Sequence, residues 1–465
     1  MPRPVAARVP GDEGTWSVIM AERLFGTDGV RGKAGSYPLD ARTIRRLGAA
    51  VVRALPHPGR ELHLLVGRDT RESGPWIERE LAHGTRSQGA HLSSVGVLST
   101  PAIAYLAGSM PFDAGFVISA SHNPFEDNGI KVFTHAGEKF TEQLETEVER
   151  IMTGPWDVPD AGAIEVERVD LAGRYLAHVR TALPEPARLL PLRLAVDCAN
   201  GATSQLAPRL FCDLGFEVIA VSCAPDGRNI NLDCGSTHPQ HLAAAVRQQG
   251  CRLGVAFDGD GDRAIFVDAQ GCVVDGDAVM LLCAKQMKAT GRLRGNTVVA
   301  TVMSNIGLEI ALREQGIDLV RTAVGDKYVM EEMIARDLAL GGEQSGHIIF
   351  SDFLFTGDGL TTALQVLNTM AATGRELADL AADLRSYPQV LLNVKVPRRV
   401  DLAQVPEVAA VIADVARRLG DRGRLLVRYS GTEPLLRIML EGQDQDAIRR
   451  WAEEIASAVR LRLAN

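Results

Sequence analysis

Short apolar runs with strand character alternate with helical stretches along most of this chain, and that alternation restricts the fold more than any other feature of the sequence. It implies parallel sheets covered by helices. Glu61 to Val66, Ala90 to Val97 and Ala114 to Ser119 read as strands of a first unit, with helices over Ala41 to Ala54 and Trp76 to Gln88. A long polar helix, Thr141 to Met152, gives way to Gly154-Pro155-Trp156-Asp157-Val158-Pro159, where a boundary region is expected. A second unit has strands near Leu192 to Asp197, Glu217 to Ser222 and Arg252 to Phe257. A third has Asn296 to Met303, Leu319 to Ala323 and His347 to Ser351. Three βαβ-rich units in series read as a repeated domain. After Tyr387-Pro388 the pattern changes: a strand Val390 to Val396, a helix Val405 to Arg418, paired strands Gly423 to Tyr429 and Leu435 to Glu441, and an amphipathic helix Gln445 to Leu463. That is a smaller α+β domain, not a fourth copy.

Length agrees with this division. At 465 residues and 46% hydrophobic, the chain exceeds one core, and three or four domains are expected. The net charge of −8 argues against nucleic acid as the main partner. No run approaches the roughly 18 apolar residues of a membrane span. The stretch from Met1 to Glu22 lacks the apolar block and cleavage site of a signal peptide, so residues 1–20 read as an extension, with Met20 as an alternative start. All seven cysteines fall between Cys198 and Cys283, are odd in number and form no CxxC pair. They read as reduced thiols of a cytoplasmic protein, most of them in the core.

Three loops carry the chemistry. In Ile118-Ser119-Ala120-Ser121-His122-Asn123-Pro124 an apolar strand runs into a turn that presents a hydroxyl and an imidazole. Small neighbours, Ser119 and Ala120, are expected to leave Ser121 accessible, and Asn123-Pro124 fixes the exit of the turn. A turn in which the serine merely caps the next element is the plain alternative. In Asp258-Gly259-Asp260-Gly261-Asp262-Arg263 three carboxylates alternate with glycines that let the backbone wrap one cation. An EF-hand fails here: Arg263 and Ala269 stand where that loop needs Gly and Glu. Three acids with few other oxygen ligands suit Mg²⁺, and without a cation their closeness would be costly. In Arg428-Tyr429-Ser430-Gly431-Thr432-Glu433-Pro434 a guanidinium, two hydroxyls and an open backbone suit a phosphate dianion. A nucleophilic serine, a metal and a remote phosphate clamp point to phosphoryl transfer.

Weaker signals stand beside these. Gly341-Gly342-Glu343-Gln344-Ser345-Gly346-His347 offers groups that suit neighbouring sugar hydroxyls, against an ordinary polar turn. Phe25-Gly26-Thr27-Asp28-Gly29-Val30-Arg31-Gly32 places Arg31 where its fork could reach a transferring phosphoryl group. Gly67-Arg68-Asp69-Thr70-Arg71 reads either as a second basic cluster or as an internal Arg/Asp pair. Lys131 is a candidate acid/base or charge stabiliser, against a solvent-facing lysine, and Lys327 in Gly325-Asp326-Lys327-Tyr328 a further cation near the sugar.

Assembled in this order, the motifs resemble the α-D-phosphohexomutase superfamily from about Leu24 to Leu463, and within it the family of bacterial phosphoglucosamine mutases. Val196 to Thr203, Pro225 to Asn231, Thr356 to Gly359 and Tyr387 to Val390 share that family's texture. Departures are small: Glu126 lies where an aromatic is frequent, and the first twenty or so residues have no counterpart. The resemblance implies three similar mixed-sheet α/β domains, at residues 21–172, 173–276 and 277–388, and a smaller α+β domain at 389–465, in a heart-shaped molecule with a central cleft. By similarity Ser121 works as a phosphoserine and joins Asp258, Asp260 and Asp262 on one Mg²⁺. Arg31, Lys131, His122 and Arg263 surround the transferring group, and which of them moves the proton is left open. Glu343, Ser345, His347 and Lys327 take the sugar, while Arg428, Ser430, Gly431, Thr432 and Arg437 hold the idle phosphate. The implied reaction converts glucosamine 6-phosphate into glucosamine 1-phosphate, a cell-wall precursor, through glucosamine 1,6-bisphosphate. The only partner implied is a small hexosamine phosphate, with room for a homodimer.

Three rivals remain. A phosphomannomutase or phosphoglucomutase shares almost all of this machinery, and Gln344 leans toward glucosamine. A phosphoserine hydrolase has no use for the second phosphate clamp. A non-catalytic sugar-phosphate sensor has no use for the serine with all three acids.

Overall fold

The computed structural model describes residues 23–26, 28–56, 59–159, 162, 164–429 and 435–463. The expected extension at 1–20, and Ser430, Gly431 and Thr432 of the phosphate loop, lie outside these residues.

In the first unit β1 (Val30–Lys33), β2 (His63–Arg68), β3 (His91–Val97), β4 (Ala114–Ile118), β5 (Asp127–Thr134) and β6 (Glu167–Arg168) form one sheet in the order β1-β5-β4-β2-β3-β6. Strands β4, β2, β3 and β6 run parallel, whereas β5 returns antiparallel to β4 and β1 pairs antiparallel with β5. The second unit repeats the plan. Its strands β7 (Arg193–Asp197), β8 (Glu217–Val221), β9 (Leu253–Phe257), β10 (Ala264–Asp268) and β11 (Val273–Val274) lie in the order β11-β10-β9-β7-β8, with β10 antiparallel to β9. In the third unit β12 (Thr297–Thr301), β13 (Asp318–Thr322), β14 (Leu340–Gly342) and β15 (Ile348–Phe350) lie in the order β13-β12-β14-β15, with β15 antiparallel to β14. Last, β16 (Gln389–Lys395), β17 (Arg424–Tyr429) and β18 (Leu435–Glu441) make an antiparallel sheet in the order β16-β18-β17.

The first three sheets are therefore mixed, where strand–helix alternation alone implies parallel ones. Connection length decides it. A parallel neighbour needs a crossover of about a dozen residues or more, and the links 119–126, 258–263 and 343–347 are too short, so the strand that follows each must turn back. These three links hold Ser121, the three aspartates and the Glu343 loop. Each of these loops thus occupies the same place in its own sheet, at the carboxyl end of a parallel strand.

Packing brings the loops together. Leu65 and Val117 of the first sheet, Leu194 and Val196 of the second, and Val298 and Ala300 of the third belong to one continuous apolar core, shared with helices Thr100–Ser109, Gly276–Ala289 and Gly359–Thr373. On the other face of the first sheet the alternate residues Leu64, Val66, Phe116 and Ile118 pack on Ile44, Leu47 and Leu81. The last sheet keeps its own core, in which Val394, Leu436 and Ile438 meet Ile448, Ile455 and Val459 of helix Gln445–Leu463. It is joined to the third unit by Glu441, whose buried carboxylate accepts from the Ile306 N–H at 3.1 Å and from Arg424 Nε at 2.9 Å. Among the described residues no helix is long and apolar enough to cross a membrane.

Candidate active site

Past β4 the chain turns sharply, and Ser121 adopts φ +51°, a left-handed conformation that costs energy for any residue with a Cβ. The turn is held from two sides. Arg71 donates to the Ser121 carbonyl at 3.2 Å and to the Asn123 carbonyl at 2.6 Å, while Asn231 Nδ2 donates to the same two oxygens at 2.9 and 3.1 Å. Arg71 is itself ion-paired with Asp69 and wholly buried, so Gly67 to Arg71 supplies an internal pair and not a second basic cluster. Ser121 is 1% exposed, which corrects the expectation of an accessible serine. Small sequence neighbours relieve local crowding only, and here the aspartate loop of the second unit closes over the turn. A Cβ on Gly259 would come within 2.5 Å of the Ser121 carbonyl, a distance only glycine permits.

That loop joins β9 to β10, with Gly261 at φ +75° giving the reversal between the second and third acids. Asp258, Asp260 and Asp262 are buried, and their ligand oxygens lie within 4.8 Å of one another. Ser121 Oγ donates to Asp258 Oδ2 at 2.6 Å. From the first unit Thr100 Oγ1 donates to Asp260 Oδ2 at 2.6 Å, and from the third the Gly359 N–H reaches the Gly261 carbonyl at 3.0 Å. Lys131 stands among the acids, with Nζ 2.9 Å from Asp260, 3.1 Å from Asp28 and 3.3 Å from Asp262. Burial opposes its charge, but Asp260, Asp28 and Asp262 together hold its pKa well above the usual lysine value. Burial, then Asp262 and Asp260, push the Asp258 carboxyl well above its ordinary range. Asp260 Oδ1 and Asp262 Oδ1 are buried without any hydrogen bond. Leftover anionic oxygens on a tight carboxylate cluster fit a hard divalent cation.

Beside the loop lies a cavity of 480 Å³ lined by Asp28, Arg31, His122, Asp262, Arg263, Glu343 and His347, among others. Arg31 is ion-paired with Asp28 and donates to the Ala120 carbonyl at 3.4 Å. His122 Nδ1 lies 3.4 Å from Ser121 Oγ, and burial together with Arg263 and Arg31 pushes this imidazole down to about 4, so it is neutral at neutral pH. Arg263 is largely buried, and its Nε makes no hydrogen bond. His347 accepts the Gly357 N–H on Nε2 at 3.0 Å and turns Nδ1 toward Asp262 Oδ1 at 3.6 Å. Burial opposes its protonation, and Asp262 and Asp326 outweigh that and raise its pKa. Glu343 accepts the Gly325 N–H at 3.2 Å, and exposed Ser345 stands next to it. Two residues of the expected sugar loop region point elsewhere. Lys327 binds Glu145 at 2.9 Å and Gln344 donates to Asp275 at 3.0 Å, so the lean toward glucosamine drawn from Gln344 loses its geometric basis.

Several further residues belong to this site. Asp28 links Arg31, Lys131 and Lys139, and Lys139 also pairs with Asp326 of the third unit. Asp28 stands in the Phe25 to Gly32 motif, but nothing local marks Arg71 or Asn231 as neighbours of Ser121, or Lys139 as a partner of Asp28. The residues expected to clamp phosphate lie apart: Arg428 on β17 and Arg437 on β18 are direct cross-strand partners, and neither lines the cavity.

Sequence profiles of the phosphoglucomutase/phosphomannomutase domains match the chain in order: alpha/beta/alpha domain I at 22–155, domain II at 173–271, domain III at 275–387 and the C-terminal domain at 391–458. The phosphoglucosamine mutase of Geobacter sp. (strain M21) is 48% identical over 447 residues, 95% of this chain and 98% of the relative. The chain belongs to the phosphoglucosamine mutase family. It is accordingly an enzyme of the isomerase class. The phosphoglucosamine mutase of Syntrophotalea carbinolica is also 48% identical, over 96% of this chain and 98% of its own. Among solved structures, a phosphoglucomutase/phosphomannomutase family protein from Burkholderia thailandensis aligns with TM-score 0.77 at 25% identity, covering 95% of this chain and 98% of that one. The N-acetylphosphoglucosamine mutase of Aspergillus fumigatus, solved with GlcNAc-6P and magnesium, shares the fold at TM-score 0.64 and 18% identity, covering 94% of this chain and 95% of its own.

Proposed function

We propose that the chain interconverts D-glucosamine 6-phosphate and α-D-glucosamine 1-phosphate in the cytoplasm, through a phosphoserine at Ser121 and a glucosamine 1,6-bisphosphate intermediate. The observation that carries this reading is the seating of the Ser121 hydroxyl 2.6 Å from Asp258, inside a carboxylate cluster that still has two unbonded buried oxygens. The name borne by relatives 45–48% identical over nearly the whole chain supplies the substrate class.

Bound by Asp258, Asp260, Asp262 and a phosphoryl oxygen on Ser121, Mg²⁺ would neutralise charge as the phosphoryl group leaves. Arg31 and Arg263 present guanidinium groups to the transferring oxygens, and the unbonded Arg263 Nε is a donor ready for one of them. His122, neutral at working pH and next to Ser121 Oγ, can take the proton from the attacking sugar hydroxyl and return it. Lys131 balances the acids, and His347 steadies Asp262 from the third unit. Glu343 and Ser345 receive ring hydroxyls, with Lys327 fixing the adjoining helix through Glu145. Arg428, Ser430, Gly431, Thr432 and Arg437 hold whichever phosphate is idle, so one clamp serves both ends of a bisphosphate that turns over between half-reactions.

A panel of glucosamine, glucose and mannose 6-phosphates, assayed with Mg²⁺ and a trace of the matching bisphosphate, tests the assignment. Highest kcat/KM for glucosamine 6-phosphate is expected. Equal or better turnover of glucose or mannose 6-phosphate would move the chain to the phosphoglucomutase/phosphomannomutase reading.

A further inference from the structure

At the far end of the first sheet a second group of ligand-bearing side chains meets. His63 opens β2 and His91 opens β3; they are direct cross-strand partners, so both imidazoles stand on one face of the sheet. Two residues along β3, on that same face, Ser93 is the partner of Glu167 on β6. The ligand atoms of His63, His91 and Glu167 lie within 4.8 Å of one another. The Ser121 turn leaves the carboxyl end of β4, which runs parallel to β2. Since Leu64 pairs with Ala114 and Arg68 with Ile118, the cluster sits about 16 Å of strand away from the Ser121 turn.

We propose that His63, His91 and Glu167 form a metal site for a borderline-soft divalent cation of the Zn²⁺ class. Two imidazoles and one carboxylate are the donor set such ions prefer, whereas Mg²⁺ takes oxygen ligands. The donors are already oriented. The His63 ring packs edge-on against Phe112, with centroids 4.8 Å apart, and its Nε2 meets Ser93 Oγ at 2.8 Å. Ser93 Oγ and His91 Nε2 both lie 2.8 Å from the same oxygen, Glu167 Oε2. Glu167 has no arginine or lysine partner among the described residues: its neighbour Arg168 turns to Ser94 and Glu78, and nearby Arg60 is taken by Asp113. His91 and Glu167 are partly open to solvent, which gives an ion a route in. With the imidazoles as neutral ligands through Nε2, the ion would tie the two-residue strand β6, and the connection it belongs to, onto the first sheet.

Isothermal titration of the full chain with Zn²⁺, in excess Mg²⁺ so that the aspartate loop is occupied, tests the site. One Zn²⁺ per chain is expected, weakened by about tenfold or more in His91→Gln and separately in Glu167→Gln. Zn²⁺ should raise the thermal midpoint of the wild type and not of either variant, with mutase turnover in Mg²⁺ unchanged in all three. Both residues are partly exposed, so loss of fold is not the expected result, and His63→Gln provides a third reading. Wild-type Zn²⁺ binding retained in the variants, or no Zn²⁺ bound beyond the aspartate loop, would overturn the proposal and leave the cluster a hydrogen-bonded surface network.

Discussion

Lys131 Nζ stands 2.9 Å from Asp260 Oδ2, so a buried lysine shares the carboxylates that the candidate metal site needs. With Mg²⁺ bound, two cations would balance one set of acids. Removing either leaves buried charge uncompensated, at a cost of about 3–5 kcal/mol when nothing replaces it. Lys131→Met should therefore lower the thermal midpoint strongly in EDTA, and Mg²⁺ should restore most of the loss. The wild type should gain less from Mg²⁺ than the variant does. A variant whose midpoint ignores Mg²⁺ would separate the lysine from the metal loop.

Asp260→Asn tests the loop directly. One anionic ligand becomes neutral while the Thr100 hydroxyl can still be accepted, so Mg²⁺ affinity and turnover should fall together and excess Mg²⁺ should recover part of the rate. An unchanged Mg²⁺ dependence of turnover would show that the acids do not hold the ion.

How far these features were legible depends on the range of the interaction that fixes them. Helices Ala41–Ala54 and Gln445–Leu463 and strand Leu435–Glu441 begin and end where their periodicity places them, because the pattern is local. β5 carries no strand signal at its start because it opens on Asp127-Asn128-Gly129, residues that read as a turn, and β10 follows the charged loop directly. Ser121 and the three acids could be picked out because each motif is contiguous. The burial of Ser121 could not, because it is imposed by Gly259 and Asn231 of another unit. Arg71, Lys139 and Asp28 act across similar gaps in sequence, and only the packed structure places them.

Arg428→Ala should weaken binding of both the 1-phosphate and the 6-phosphate sugar, since one clamp is proposed to hold the idle phosphate in each half-reaction. The loss of a charge-assisted contact corresponds to roughly tenfold to a hundredfold in affinity. Titration calorimetry with each sugar phosphate reads it, and a loss confined to one isomer would contradict the shared clamp.

Asp277 carries a pH signature. Burial and then Asp275 push its carboxyl up to about 7, although it accepts the Asn305 N–H at 2.8 Å. The unfolded carboxyl titrates near 3.8, so between these values the native state holds more protons and stability falls as pH rises. Asp277→Asn removes the penalty and keeps an acceptor for Asn305. The variant should be more stable than wild type by roughly 2–4 kcal/mol at about pH 8 and close to it at about pH 4, read by urea denaturation. Equal stability of the two at the higher pH would contradict the assignment.

Everything proposed for the reaction rests on Ser121 carrying the phosphoryl group. Incubation of the enzyme with glucosamine 1,6-bisphosphate and Mg²⁺, a chase with glucosamine 6-phosphate, and peptide mapping by mass spectrometry at both stages measure this directly. Phosphoryl on Ser121 before the chase, its loss afterwards, and its absence from a folded, inactive Ser121→Ala variant are predicted. A phosphoryl group mapped to any other residue, or near-wild-type turnover by the Ala variant, would contradict the account.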